Sequence, residues 1–261
     1  MLLDYQLKES TKHETNKKNE IIFMVHGLFG SLSNLSGLAK ELQSNFDIIL
    51  IDVRNHGRSP RHKSMTYQEM AEDIFELADS LNIDQFSILG HSMGGKIAMT
   101  CALLAPSRVK RLVVADIAPV SYGDRHGEVF MGLKSVLQLQ AENRTEAEKT
   151  LSGYIETPEV RQFLLKSFQR SEDGFDFLYD VENLYNNYGL ISGWPVQSNT
   201  YAAPTLFIKG ELSNYIESHN IKSIEALFPN SALKVIEGTG HWLHAEKPKD
   251  FNRLVIDFFT E

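Results

Sequence analysis

Three residues, far apart in the chain, have the types that acyl-transfer chemistry requires. Ser92 stands in Gly90-His91-Ser92-Met93-Gly94, Asp116 ends the apolar run from Arg108 to Ala115, and His241 follows Gly238-Thr239-Gly240. A serine hydroxyl is a weak nucleophile at neutral pH. It needs a base within hydrogen-bond reach to take its proton, and a carboxylate to hold that base in the right tautomer. The G-x-S-x-G pattern alone arises by accident about once in ten chains of this length, so its surroundings must carry the argument. Gln85 to Leu89 reads as a buried strand and Lys96 to Leu104 as a buried helix, which puts Ser92 in a tight strand-to-helix turn. There the flanking residues must lack side chains, and the helix N-terminus offers free N–H groups to an anion. A second carboxylate, Glu211, lies in Gly210-Glu211-Leu212-Ser213 just past another apolar run, so two acids compete to orient the histidine. His244 and Glu246 follow His241 closely, but no H-E-x-x-H spacing occurs. Neither a metal nor a cofactor is expected.

The elements that must position these residues alternate. Leu3 to Leu7 suits an edge strand, and the mixed charges from Glu9 to Glu20 suit a solvated loop. Ile21 to Val25 and Asp47 to Ile51 are continuous apolar runs, as expected for parallel strands buried on both faces, with a helix between them from about Asn34 to Gln43. From Thr66 a helix presents Met70, Ile74, Leu77, Ala78 and Leu81 on one face, with Glu72, Asp73, Glu76 and Asp79 turned away. This rhythm implies a mostly parallel sheet with helices on both faces. Ligands bind such sheets at the carboxyl ends of the strands, where His26-Gly27, Ser92 and Asp116 all fall.

From Pro119 to about Tyr201 the rhythm changes to amphipathic helices, with no further sheet expected. Residues 119–201 therefore read as a helical cap inserted into a core of 1–118 and 202–261. The aromatic side chains of Phe175, Phe177, Tyr179, Tyr185, Tyr188 and Trp194 fit a cap over an apolar acyl pocket, with a minority touching ligand. Thr205 to Gly210 and Ala232 to Ile236 return to the strand pattern, and Pro248 opens a last helix.

The 261 residues carry a formal net charge of -8, with 42% hydrophobic and 23% charged residues. That balance suits a globular enzyme and argues against a nucleic-acid partner or attraction to anionic membranes. No leader or membrane span is apparent, so a cytoplasmic location is expected. Cys101, the single cysteine, reads as a small core residue on the apolar helix.

The motifs His26-Gly27-Leu28-Phe29-Gly30-Ser31, Asp52-Val53-Arg54-Asn55-His56-Gly57, Gly90-His91-Ser92-Met93-Gly94-Gly95-Lys96, Asp116-Ile117-Ala118-Pro119, Gln162 to Phe168 and Gly240 to Pro248 together resemble the α/β-hydrolases. More narrowly, they resemble the bacterial YbfF-type esterases, over nearly the whole chain from Ile21. The resemblance implies an α/β-hydrolase fold and a cofactor-free serine hydrolase of small-molecule acyl esters, or of acyl thioesters. It gives Ser92, Asp116 and His241 the order that family uses. It also implies an oxyanion hole made by the backbone N–H groups of Leu28 and Met93, with His26 as support for its loop and the Asp52 to Ser59 turn as scaffold. Most of the superfamily carries its acid after the strand ending at Gly210, in a G-x-x-D pattern whose aspartate is absent here. A subset keeps it where Asp116 stands, which favours Asp116 over Glu211. The same triad on the same fold also serves cofactor-free haloperoxidases, C–C bond hydrolases and lyases, or the pocket could serve binding alone.

Overall fold

The computed structural model describes residues 1–12, 19–172, 174–195 and 199–261. Among the described residues nine strands run in chain order: β1 Tyr5–Lys8, β2 Ile21–Val25, β3 Asp47–Ile51, β4 Phe86–His91, β5 Val109–Ala115, β6 Phe168–Ser171, β7 Gly174–Phe177, β8 Thr205–Gly210 and β9 Ser231–Ile236. Seven form one sheet in the order β1-β3-β2-β4-β5-β8-β9. Only β1 is antiparallel to its neighbour.

The period-2 geometry of a strand explains why the central runs are apolar throughout. Ile22 and Met24 of β2 enter one core, with Ile48, Leu50, Leu89, Val113 and Ile208 from neighbouring strands. Phe23 and Val25 enter the other, with Ile49, Ile51, Ile88, Val114 and Phe207. Helices cover both faces. Helices α1 (Ser36–Leu42), α2 (Tyr67–Ser80) and α3 (Met93–Leu104) fall within the first half of the chain. After them come α4 (Gly127–Gln138), α5 (Arg144–Leu151), α6 (Pro158–Leu165), α7 (Val181–Asn186), α8 (Tyr188–Ser192), α9 (Ile221–Leu227), α10 (Leu243–Glu246) and α11 (Pro248–Thr260). The first core is closed by α1 and α11 through Leu38, Leu42, Phe251 and Val255, and the second by α2 and α3 through Met70, Ile74, Leu77 and Ile97. Cys101 is buried on α3.

Four sequence expectations are corrected. The first strand is Tyr5–Lys8 rather than Leu3–Leu7, while Leu3 is buried in the core. The helix expected from Asn34 begins as a 3-10 turn at Leu32–Leu35 and becomes α-helical only over Ser36–Leu42. Asp73 does not face solvent: Arg54 Nε donates to it at 2.7 Å and the Met1 ammonium at 2.8 Å, so a buried carboxylate takes two cations from distant segments. The segment from Pro119 to Tyr201 is not purely helical. Its α6 stops at Leu165, and Phe168–Ser171 pairs antiparallel with Gly174–Phe177, stacking Phe168 on Phe175 and Phe177. Of the charged loop expected from Glu9 to Glu20, residues 13–18 lie outside the described residues.

Among the described residues, no helix is long and apolar enough to cross a membrane.

Candidate active site

Ser92 sits between β4 and α3 at φ 55°, ψ −121°, a backbone conformation that side chains other than glycine's rarely adopt. The turn is as tight as the pattern predicts. A Cβ on Gly90 would lie 2.0 Å from the Gly94 carbonyl oxygen, and one on Gly94 would lie 2.3 Å from that of Val25. The Ser92 amide is held by the Ala115 carbonyl at 2.9 Å.

His241 Nε2 lies 2.9 Å from Ser92 Oγ, and its Nδ1 lies 2.7 Å from Asp116 Oδ2. An ionised carboxylate only accepts hydrogen bonds, so Nδ1 carries the proton and Nε2 is left to receive that of the serine. Asp116 is fully buried at φ 51° directly after β5. Its amide donates to Ile208 of β8, and its Oδ1 accepts from the Gly210 amide at 3.0 Å. The structure thus brings together the three residues singled out from the sequence. It leaves Glu211 aside, whose carboxylate instead accepts the Gly238 amide at 2.7 Å.

Sequence reasoning missed several supports. Ser213 occupies the place of the absent aspartate three residues after Gly210, and its hydroxyl donates to Asp116 Oδ2, the oxygen that also faces His241. Tyr215 stacks on the His241 imidazole at 4.0 Å between ring centres. Glu246, considered above as a metal ligand, clamps the histidine turn by accepting the Gly240 amide at 2.7 Å and the Trp242 amide at 3.2 Å. The position of Ser213 in the G-x-x-D pattern was the one available signal. The other contacts join residues with no periodic relation.

The amides of Leu28 and Met93 donate to no protein acceptor among the described residues. Met93 opens α3, where the first N–H groups have no partner within the helix. The loop that carries Leu28 is braced by neutral histidines. His26 Nδ1 donates to the Gly27 carbonyl and its Nε2 accepts the Val53 amide, while His56 Nε2 accepts the Phe29 amide and its Nδ1 donates to Arg54. Asp52 accepts the amides of Leu32 and Arg58. The scaffold roles expected of His26 and of the Asp52 turn therefore hold.

A crevice of about 970 Å³ opens onto Ser92 and His241. One side is formed by His26 to Gly30, Trp242 and His244, the other by Asp124 to Val129 and Ser152 to Thr157 with Val160, Phe163 and Leu164. Of the six aromatic residues expected over the pocket, only Tyr188 lines a cavity at Ser92, a second and much smaller one. Phe177 and Tyr179 are buried, with Tyr179 packed on Phe29. Tyr154 and Phe163 line the crevice instead.

Burial lowers the basicity of His26, His56 and His91, and brings His126 and His244 down to about 4. A base whose folded pKa is depressed adds stability that is present in full above its unfolded value, near 6.5, and is lost as pH falls toward the folded value, because the unfolded chain binds protons first. Thermal unfolding should show a melting temperature at pH 5 that is lower by more than about 5 °C than at pH 7. An unchanged melting temperature at pH 5 would contradict these neutral buried histidines.

A sequence model of the alpha/beta hydrolase fold matches residues 20–248. The chain belongs to the α/β-hydrolase family. It is 41% identical to esterase YbfF of Escherichia coli, over 95% of this chain and 96% of that one. It is 37% identical to the sn-1-specific diacylglycerol lipase ABHD11 of Danio rerio, over 91% and 77%. The solved structure of a marine microorganism esterase superposes with a TM-score of 0.92 at 39% identity, covering 98% of this chain and 99% of that one. An enol-lactonase from Burkholderia xenovorans shares the fold alone, at 19% identity and a TM-score of 0.74 with 99% and 96% covered.

Proposed function

We propose that this α/β-hydrolase cleaves carboxylic esters, and acyl thioesters with them, through an acyl-enzyme on Ser92. The observation that carries the reading is the hydrogen-bonded line from Ser92 through His241 to Asp116, open to a large crevice. The ester-hydrolase names of its full-length relatives support it. In this account Ser92 Oγ attacks the carbonyl carbon while His241 Nε2 takes its proton. The amides of Leu28 and Met93 hold the resulting oxyanion, each worth about 3 kcal/mol of transition-state stabilisation. His241 returns the proton to the leaving alcohol or thiol, then activates the water that releases the acid and frees Ser92. No cofactor takes part.

We also propose that residues 119–201 act as a cap on a core made of 1–118 and 202–261, with the substrate held between them. Support comes from the sheet, whose strands all lie outside 119–201, and from crevice walls contributed by both parts. We assign the cytoplasm as its compartment, as the sequence reading has it.

The test is the rate on p-nitrophenyl esters from acetyl to palmitoyl beside matched thioesters. Turnover of both series, extending beyond acetyl because of the crevice volume, is expected. Failure to hydrolyse any of them would send the search to the family's lyase and haloperoxidase chemistries.

A further inference from the structure

Lys96 presents a charge where burial should forbid one. It lies one helical turn after Ser92 on α3 and is 1% exposed. Buried charges are normally paired. Lys96 Nζ instead donates to the carbonyls of Ser192 at 2.9 Å and Gly193 at 2.6 Å, and lies over the rings of Tyr122 at 4.8 Å and Tyr67 at 5.6 Å. The amine borders the small cavity of about 40 Å³ that Ser92, Leu28 and Met93 also line. Leu28, Met93 and an amine without a carboxylate partner therefore border one small cavity, which shares Leu28, Ser92, Arg125, His126 and Tyr215 with the main crevice.

The other titratable groups around that space are Tyr67, Tyr122, Arg125, His126, Tyr188 and Tyr215. Burial raises the pKa of all four tyrosines and lowers that of His126 to about 4, so these are neutral near pH 7. Among the described residues lining the cavity, only Arg125 adds a second charge, and it is positive too; behind the lining, His241 stacks on Tyr215 and bonds the Asp116 carboxylate, whose charge also reaches Tyr122 and Tyr215. Structural economy alone does not explain such a lysine. A methionine of similar length would fill the space without desolvating a charge; the Ser192 carbonyl would keep the Tyr122 amide at 2.9 Å, and only the Gly193 carbonyl would lose its donor.

We propose that Lys96 is an electrostatic positioning residue for ester cleavage: its ammonium, fixed against the Ser192 and Gly193 carbonyls, holds a positive potential over the pocket in which the oxyanion forms. Negative charge that develops near Leu28 and Met93 is then met by a preorganised cation whose own burial limits its screening by water. The inference rests on the ester-hydrolase reading above. Burial, reinforced by Arg125, brings the Lys96 pKa down to about 7, so the charge is lost as pH rises through the neutral range.

The experiment measures kcat and KM on p-nitrophenyl butyrate from pH 6 to 9 for wild type, Lys96→Met, Lys96→Arg and Ser92→Ala, with a melting temperature for each. Wild-type kcat should decline on the alkaline side. Lys96→Met should lose at least tenfold in kcat at pH 6.5, with KM changed less than threefold and no alkaline decline. Lys96→Arg, which keeps its charge, should stay active to pH 9. A merely structural lysine would shift the melting temperature without removing the alkaline limb. The proposal is overturned if wild-type kcat is flat or rising from pH 7 to 9, or if Lys96→Met keeps kcat within threefold at pH 6.5. Should Lys96→Met not fold, an alkaline decline retained in Lys96→Arg overturns it equally. Ser92→Ala as active as wild type would instead remove the ester-hydrolase reading itself.

Discussion

Asp116→Asn is expected to lower kcat by about 10³ to 10⁴-fold while Glu211→Gln leaves it within about twofold. Asp116 Oδ2 faces His241 Nδ1 at 2.7 Å, whereas the Glu211 carboxylate is engaged with the Gly238 amide. An asparagine in that place could present its NH₂ group to Nδ1. The proton would then sit on Nε2, where it cannot accept that of Ser92, so the damage arises from the wrong tautomer rather than from lost packing. The Gly210 amide and the Ser213 hydroxyl both donate to the Asp116 carboxylate, and together they hold it in place. Steady-state kinetics on one p-nitrophenyl ester, with the melting temperature as control, decides the point. If Glu211→Gln caused the large loss and Asp116→Asn the small one, the acid would have been assigned to the wrong strand.

Gly94→Ala should strike the fold rather than the chemistry. Its Cβ would meet the carbonyl oxygens of Val25 at 2.3 Å and His26 at 2.5 Å. These belong to the end of the interior strand β2, paired on both sides, and to the residue after it, so neither side can give way without disturbing the sheet. Destabilisation above about 4 kcal/mol is the scale for such a clash. For a chain of this size it corresponds to a fall in melting temperature of more than about 10 °C, or to loss of soluble protein. A variant that melts within 2 °C of wild type would show that the elbow is looser than described.

The strands were legible because burial on both faces leaves a continuous apolar run: Ile21 to Val25 needed no partner to be identified. Ser92 and His241 were legible because glycines crowd the turns that carry them. What escaped the sequence was set by distant contacts. The spacing of α2 puts Asp73 among its acidic residues, and only Arg54 and the amino terminus, arriving from elsewhere, bring it inside. Phe168 appeared to continue the helix from Pro158, yet its ring packs on Phe175 and Phe177 across a hairpin. Ser213 was visible only as a missing aspartate, although its hydroxyl takes up the hydrogen bonding of that corner. Lys96 opens the run read as a buried helix, but its spacing gave no hint that its amine would meet the Ser192 and Gly193 carbonyls, which arrive from far along the chain.

The central claim is that Ser92 is the nucleophile of an ester hydrolase. Initial hydrolysis of p-nitrophenyl esters by wild type beside Ser92→Ala tests it most directly, since the hydroxyl can be removed without touching the His241–Asp116 pair. The account predicts turnover by wild type and a loss of at least about 10³-fold in the variant at an unchanged melting temperature. Equal rates for the two proteins across the acyl series would contradict it.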